Sequence, residues 1–540
     1  MLILYGSQTG TTEAFAKIVH AFATARGLAP RLVIADDFDT AQVAHEDVVV
    51  FLTSTFYNGE FPTNFTRTWD WLRTTSTSLA ATKFAVFGLG NTHTKDNFNR
   101  AAKQLDARLE ELGATRLIPL GLGDEHAVCS HETAFRPWIQ ELWTKLLGAH
   151  GKMTLPVQYE LAWSTVEIPS KSRKIPGFDG FRVVSNELLT PEGYERPTYL
   201  LTLELPPNTT YELGDHIQVC YTNSDALVTR FAARLNLNLD ATVQLNPLGN
   251  AKYLPVEPIR LRDLLRDYVD LSSPPSRSFL EGLSALCTVP DEALALERLA
   301  EDMTIGNAYS QYVSGNSQWR TPFTLVDVLE LHPSIAIELK HILGNTQVLR
   351  ARYYSVCSSP LQSPRHVQVV YMVDTWHYRS DPTRVFMGAA AGYMSLLAPN
   401  DIMTATLSRG YFRMPTSLET PILGVALGTG ISFFRALLQH RAYYQERNAP
   451  VSKLRLYFGI RHAAKDFLFQ KELETYVQRG LLELVPACSH DSSNFVTPVT
   501  KLRDDPESVA RYLDNGGVYF YCGIGGTIPF FHESAIQVAL

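Results

Sequence analysis

Cysteine is scarce and scattered in this sequence. The six residues Cys129, Cys220, Cys287, Cys357, Cys488 and Cys522 form no CxxC pair and share no zinc-like spacing with histidine. This points away from a disulfide-stapled secreted fold and from a structural metal, and toward free thiols in a reducing compartment. Long apolar runs are missing too. No window approaches the ~18 uninterrupted apolar residues of a membrane span. The nearest, Pro421 to Phe434, is shorter and is broken by Gly424, Gly428 and Gly430. Met1 runs directly into a strand-like segment and a Gly-rich turn, so no signal peptide or membrane anchor is expected. The chain therefore reads as soluble and cytoplasmic. Positive charge is not in excess either: 48 Lys and Arg against 55 Asp and Glu leave −7. Nucleic acid is thus not the expected partner, because phosphate binding needs concentrated Lys and Arg. No internal repeat or low-complexity tract is present.

What is there is an ordinary globular composition, 45% hydrophobic and 19% charged. The 540 residues are too many for one core, so two to four domains are expected. Short, continuously apolar runs alternate with helical patterns over residues 1–150: Leu2–Tyr5, Leu32–Ile34, Val48–Leu52, Phe84–Phe87 and Arg116–Leu120. Such runs suit parallel strands covered on both faces, a doubly wound sheet with ligands outside the carboxyl ends of its strands. Residues 151–176 read as a linker ending in Lys171–Pro176. Residues 177–413 combine strand-like stretches (Tyr199–Leu205, Asp215–Cys220, then 350–374) with a helix-favouring insert at about 224–345. From 414 to 540 the βα alternation resumes, with strands at Ile422–Ala426, Leu454–Phe458 and Gly517–Tyr521. The stretch holding Asp36, Asp37, Asp39, Glu46 and Asp47 contains no Lys or Arg. It reads first as a solvated helix end and loop, and second as an acidic docking face.

Three turns carry chemistry. Ser7-Gln8-Thr9-Gly10-Thr11-Thr12 follows the first strand and opens a helix. Hydroxyls and backbone N–H groups there suit a phosphate dianion, and equally a capping cluster. No Lys lies in the turn, which excludes a nucleoside-triphosphate loop. Two further loops emerge at the same sheet edge: Ser54-Thr55-Phe56-Tyr57-Asn58-Gly59 and Gly88-Leu89-Gly90-Asn91-Thr92-His93. A flat redox-active ring needs aromatic faces and backbone groups of this kind. The second turn is Gly388-Ala389-Ala390-Ala391. The third is Gly428-Thr429-Gly430, again between a strand and a helix.

Taken in order, these segments resemble the NADPH-dependent diflavin reductases, in which a flavodoxin-like FMN module is fused to a ferredoxin-reductase-like FAD and NADP(H) module. Gly121-Leu122-Gly123-Asp124 and a helix with Trp138 and Trp143 belong to the same likeness. The resemblance implies an α/β multidomain fold: a flavodoxin-like sheet, an FAD-binding β-barrel with a helical connecting insert, then a Rossmann-like domain. It implies that Ser7, Thr9, Gly10, Thr11 and Thr12 hold the FMN phosphate, that Gln8 also belongs to the FMN site and that Phe56 stacks on the ring. Ser54, Thr55, Tyr57, Asn58, Gly59, Gly88, Leu89, Gly90, Asn91, His93 and Asp124 would complete that site. Tyr57 stands where the family usually has Gly, and His93 or Thr94 stands where it has a stacking Tyr.

Arg352-Tyr353-Tyr354-Ser355 fits the R-x-Y-S pattern of FAD barrels. By resemblance Arg352 neutralises diphosphate, Tyr354 lies against the ring and Ser355 is catalytic near the flavin N5. Gly214-Asp215-His216 supports the same barrel. Gly388, Ala389, Ala390 and Ala391 would receive the FAD diphosphate, with Ala391 at a position usually Ser or Thr unless Ser395 takes that role. For NADP(H) the likeness implies Gly428, Thr429, Gly430, Arg461, Ser489, His490 and a catalytic Cys522. The usual Ser-Arg pair is Ser489-His490, the acidic residue after Cys-Gly is Ile524, and the chain stops at Leu540 without a terminal aromatic.

The implied activity moves electrons from NADPH to FAD to FMN to a protein acceptor. The family member expected is the cytosolic iron–sulfur assembly reductase, its partner an anamorsin-type iron–sulfur protein. The alternatives are a sulfite-reductase flavoprotein, a cytochrome reductase-like enzyme, or a non-enzymatic diflavin-derived scaffold. No metal site is expected.

Overall fold

The computed structural model describes residues 1–8, 10–25, 28–56, 59–127, 130–147, 155–166, 168–170, 173–248, 254–301, 324–377, 385–410, 412, 414–491 and 496–523. The chain forms two compact units, Met1–Lys171 with Asp225–Val348 and Ser172–Ser224 with Leu349–Leu540.

In the first unit, β1 (Leu2–Gly6), β2 (Arg31–Ile34), β3 (Val48–Ser54), β4 (Lys83–Gly90) and β5 (Thr115–Arg116) lie in the order β2-β1-β3-β4-β5, all parallel. The pleat sends alternate residues of β1 to opposite faces. Ile3 and Tyr5 pack with Phe15, Val19 and Phe135, while Leu2 and Leu4 pack with Phe65, Leu72 and Leu105. Both faces are covered by helices, so the middle of each long strand is apolar, as in Val49–Leu52 and Phe84–Phe87. Each such Leu, Val or Phe contributes roughly 1.5–3 kcal/mol by its burial. In the helix Glu132–Leu147, the inward side chains Phe135, Trp138, Ile139 and Leu142 recur at helical spacing.

The fifth strand, expected as one run over 116–120, is split. β5 ends at Arg116, and β6 (Gly121–Asp124) pairs separately with β4. Pro119 lies between them and has no N–H to give to a ladder.

The rest of the unit is helical, with one small sheet. β7 (Tyr159–Ser164), inside the stretch expected as a linker, pairs antiparallel with β11 (Thr242–Pro247), which pairs with β12 (Ile259–Arg260). Leu155, Tyr159, Phe231, Val243, Leu264, Leu280 and Leu329 share one core. Thr324 caps the helix Leu325–Leu331 through a box with Asp327, and the buried Asp327 also pairs with Arg230 at 2.7 Å.

In the second unit, β8 (Asp179–Leu188), β9 (Thr198–Glu204), β10 (His216–Val219), β13 (Arg352–Ser355), β14 (His366–Met372) and β17 (Ile402–Ser408) form an antiparallel sheet. Its order is β13-β10-β17-β8-β9-β14. A bridge from Val356, just past β13, to Val369 of β14 joins the two edges and closes a barrel. A short hairpin, β15 (Thr375–His377) with β16 (Val385–Met387), leads into the helix Ala389–Ser395. The last domain is a parallel sheet of β18 (Ile422–Leu427), β19 (Leu454–Ile460), β20 (Leu482–Cys488) and β21 (Val518–Cys522), ordered β20-β19-β18-β21.

Candidate functional site

Strand order locates the first site. The chain leaves β1 toward β2 on one side and returns to β3 on the other, so a crevice opens between the carboxyl ends of β1 and β3. The turn after β1 is held open by its own side chains. Ser7 Oγ accepts from the Gly10 N–H at 3.0 Å, and the Ser7 N–H donates to Asn64 Oδ1 at 2.9 Å. Gln8 Oε1 accepts from the Thr63 hydroxyl at 3.1 Å. Thr12 Oγ1 is fully buried and has no hydrogen-bond partner among the described residues. A buried hydroxyl left unpaired costs free energy unless a ligand completes it. The turn therefore fits a phosphate, and FMN with it.

The loop after β3 folds back on itself: the Phe56 N–H donates to Glu60 O at 2.8 Å and the Thr55 N–H to Leu89 O at 2.9 Å. Phe56 is half-buried. Thr9, Tyr57 and Asn58 lie outside the described residues. In the loop after β4, Asp124 gathers the Thr92 N–H (3.0 Å), the Thr92 hydroxyl (2.9 Å) and the His126 N–H (3.1 Å). Burial pushes the Asp124 carboxyl up, but these donors outweigh it and hold it below the usual carboxylate range. Asn91 Oδ1 caps the loop at the His93 N–H, 2.9 Å away. The His93 ring lies against His126, with centroids 3.7 Å apart. Ser54, Gly88, Leu89 and Gly90 are the strand ends from which these loops leave. Asn99 belongs to the Phe98-Asn99 pair that follows this loop. Its Nδ2 donates to Gly123 O at 2.9 Å, behind the same loops.

The FAD motif lies on an outer strand. Pairing sets His216 opposite Ser355, Ile217 opposite Tyr354, Gln218 opposite Tyr353 and Val219 opposite Arg352. Tyr353 is 60% exposed, while Tyr354 packs edge-on to Tyr371 and burial pushes its hydroxyl up to about 12. The Arg352 guanidinium sits 5.9 Å from the Tyr221 ring and pairs with no carboxylate among the described residues. An exposed guanidinium of this kind suits a diphosphate. Asp215 braces the strand: its carboxylate accepts from the Glu212 N–H at 2.8 Å, and its carbonyl from the Val356 N–H at 3.0 Å.

Gly388 precedes the helix Ala389–Ser395 and donates to Asp374 O at 2.9 Å, leaving Ala389, Ala390 and Ala391 in the first turn. Ser395 stands at the other end and donates to Gly392 O at 2.8 Å. It therefore cannot replace a hydroxyl at position 391. The donors this turn offers are backbone N–H groups.

The third site lies at the next switch point, between the carboxyl ends of β18 and β21. Gly428, Thr429 and Gly430 form a tight turn into the helix Ile431–Gln445, closed by Ser432 Oγ donating to Thr429 O at 2.7 Å. A Cβ on Gly430 would lie 2.1 Å from Cys522 O, and one on Gly428 would meet nothing within 4 Å. This bare turn beside a strand end fits a dinucleotide diphosphate.

Beyond β19, Arg461 pairs with Glu195 at 2.8 Å. Ser489 Oγ and His490 Nδ1 are hydrogen-bonded at 2.7 Å. Sequence reasoning missed His462. Its Nδ1 lies 2.8 Å from Asp491, which also accepts from the Ala463 N–H at 2.7 Å, and its ring is 5.5 Å from that of His490. Its adjacency to Arg461 at a strand end was the one available signal. Ile524 and everything after it lie outside the described residues.

Burial pushes the Cys522 thiol up to about 12. Below that value it is a neutral S–H, able to orient a neighbour but not to act as a thiolate. NADPH-driven flavin reduction in Cys522→Ser should therefore keep the wild-type pH profile between pH 6 and 9. A limb near the ordinary thiol range of ~8.5 that vanishes in the variant, seen by stopped-flow absorbance, would show the opposite.

Residues 3–138 match the flavodoxin family, 180–393 the FAD binding domain family and 425–527 the oxidoreductase NAD-binding domain family. The NADPH–cytochrome P450 reductase of Oryctolagus cuniculus is 30% identical over 562 residues, covering 97% of this chain and 81% of that protein. The enzyme of the same name from Homo sapiens is 29% identical over 561 residues, with the same coverage of 97% and 81%. The bifunctional cytochrome P450/NADPH–P450 reductase 2 of Bacillus subtilis is 27% identical over 555 residues, covering 100% of this chain and 51% of that protein.

Proposed function

This chain belongs to the diflavin reductase family, and from that premise we propose that its redox partner is a haem protein of the cytochrome P450 type. The chain is an NADPH-dependent oxidoreductase with FMN, FAD and NADPH as cofactors, and it passes electrons to a redox acceptor protein. The haem reading rests on one observation: relatives named NADPH–cytochrome P450 reductase align with 97% of the chain. The second reading is an anamorsin-type iron–sulfur partner in cytosolic cluster assembly. The cytoplasm belongs to that second reading. Its support is the free thiols Cys220, Cys287, Cys357 and Cys488, which suit a reducing compartment. No helix among the described residues is long and apolar enough to cross a membrane.

The bound flavins supply the redox chemistry, accepting electrons in pairs from NADPH and releasing them singly. The protein's own task is to hold, orient and shield. In this proposal Thr12 and the N–H groups after β1 bind the FMN phosphate, and Phe56 covers one ring face. Arg352 and the turn at Gly388 neutralise the FAD diphosphate. Ser355 offers its hydroxyl beside the reacting ring, and Gly428–Gly430 receives the NADPH diphosphate against Cys522. Residues 1–150 are assigned to FMN, 151–176 to a linker, 177–413 to FAD with its insert and 414–540 to the nicotinamide nucleotide.

The purified protein with NADPH should reduce a P450 haem at least about tenfold faster than a [2Fe–2S] acceptor at equal concentration, ~1.4 kcal/mol in barrier. The Soret shift and the loss of the cluster's visible absorbance give the two rates. The reverse order would move the assignment to the iron–sulfur partner.

A further inference from the structure

One buried side chain joins the FAD barrel to the nucleotide helix. Arg435 lies in the helix Ile431–Gln445, just past the Gly428–Gly430 turn. Its Nη1 donates to Cys357 O at 2.9 Å and to Gln368 Oε1 at 2.8 Å, both in the barrel part of the chain. Its Nε donates to Glu472 Oε2 at 2.7 Å, in the nucleotide domain. Gln439, one turn further along the same helix, repeats the link. Its Oε1 accepts from the Ser359 N–H at 2.9 Å and its Nε2 donates to Glu472 Oε1 at 3.1 Å.

The covalent geometry gives these bonds leverage. Cys357 is two residues past Ser355, about 7 Å of extended chain. Arg435 is five residues past Gly430, about 7.5 Å along a helix axis. A guanidinium with a fixed fork, carrying a buried charge, holds both ends in one register. A lysine could satisfy one side but not both.

We propose that Arg435 is a positioning residue for the entry of electrons: with Glu472 and Gln439 it fixes the nucleotide-binding turn at the distance from Ser355 that the reaction requires. In this role it acts through the Gly428–Gly430 turn, its donors going to Cys357 O, Gln368 and Glu472. Reacting atoms misplaced by about 1 Å can lose 10²-fold in rate, so the effect of losing Arg435 falls on turnover rather than on nucleotide affinity. The inference rests on the family assignment and not on which acceptor is used, so ferricyanide can stand in for the partner.

The test compares Arg435→Met and Arg435→Lys with Arg441→Met. Arg441 is a buried arginine on the same helix whose donors go to Ser452 O (2.7 Å) and Thr420 O (3.0 Å), not to the barrel. In the full chain, four quantities are measured: melting temperature, FAD content, calorimetric affinity for 2′,5′-ADP, and flavin bleaching at saturating NADPH. The difference spectrum of the flavin on adding NADP⁺ is recorded as well.

Arg435→Met is expected to bleach on the order of 10²-fold more slowly with an altered difference spectrum. Its FAD content and 2′,5′-ADP affinity should stay near wild type. Arg435→Lys should recover part of the rate, and it carries the comparison alone if the Met variant does not fold. Arg441→Met should lose melting temperature and keep its bleaching rate. Wild-type bleaching in Arg435→Lys and Arg435→Met, or a loss that merely follows lost FAD or lost 2′,5′-ADP affinity, overturns the proposal.

Discussion

Gly430→Ala is expected to slow NADPH-driven flavin bleaching by about 10²–10³-fold in a protein that still folds and still carries both flavins. The added Cβ would stand 2.1 Å from Cys522 O and 2.8 Å from Cys522 C. Both are backbone atoms at the end of β21, whose ladder with β18 fixes them, so no side chain can swing away to make room. Either the turn lifts off the end of β21 or the end of β21 moves. Both changes displace the nucleotide from the residue it faces in the proposed site.

The companion variant Gly428→Ala separates close approach from backbone conformation. Its Cβ meets nothing within 4 Å, but its φ is +51°. The penalty there is that of a left-handed residue, about 1 kcal/mol, with a smaller loss of rate. Stopped-flow bleaching, 2′,5′-ADP titration and flavin content measured together decide the matter. A Gly430→Ala protein that bleaches at the wild-type rate would remove the third turn from the nucleotide site.

Thr12→Val is expected to weaken FMN binding by roughly 10- to 100-fold, the ~1.5–3 kcal/mol of a hydrogen bond to a charged group. The same change should leave the FMN-free protein as stable as wild type, or more stable by about 1 kcal/mol. The two signs follow from one observation. Thr12 Oγ1 is buried without a partner among the described residues, so a methyl group in its place relieves an unmet demand when FMN is absent and removes a donor when FMN is present. Ser7 behaves differently because its Oγ already accepts from the Gly10 N–H, so Ser7→Ala should lower both quantities. Fluorescence titration of the flavin-depleted protein and its melting curve provide both readings. An unchanged FMN affinity in Thr12→Val would mean that the phosphate is held elsewhere.

Much of this protein could be read along the chain because the signals are local. Parallel strands covered on both faces must be apolar along their buried length, and Leu2–Tyr5 and Val49–Leu52 are. A turn that leaves a strand, must approach a phosphate and must open a helix needs hydroxyls and glycines within a few residues. Ser7–Thr12 and Gly428–Gly430 satisfy that demand in sequence. The flavodoxin, FAD-binding and NAD-binding families follow from such segments taken in order.

Other features depend on partners far away in the chain, and no window of sequence contains them. β7 becomes a strand because residues 242–247 lie beside it, although its own surroundings read as a linker. The run expected over 116–120 breaks where the ladder meets Pro119. Ser395, a candidate donor by type, stands at the far end of a short helix from Gly388, where it donates to Gly392 O. His462 acquires Asp491, and Arg435 acquires Cys357 and Glu472, only when the sheets are assembled. The sequence alone therefore determined the kinds of element and the chemistry of their turns, since propensity and local geometry act within a few residues. Which buried polar groups meet, and which are left for a ligand, was decided by tertiary packing, because a hydrogen bond depends on distance in space and not along the chain.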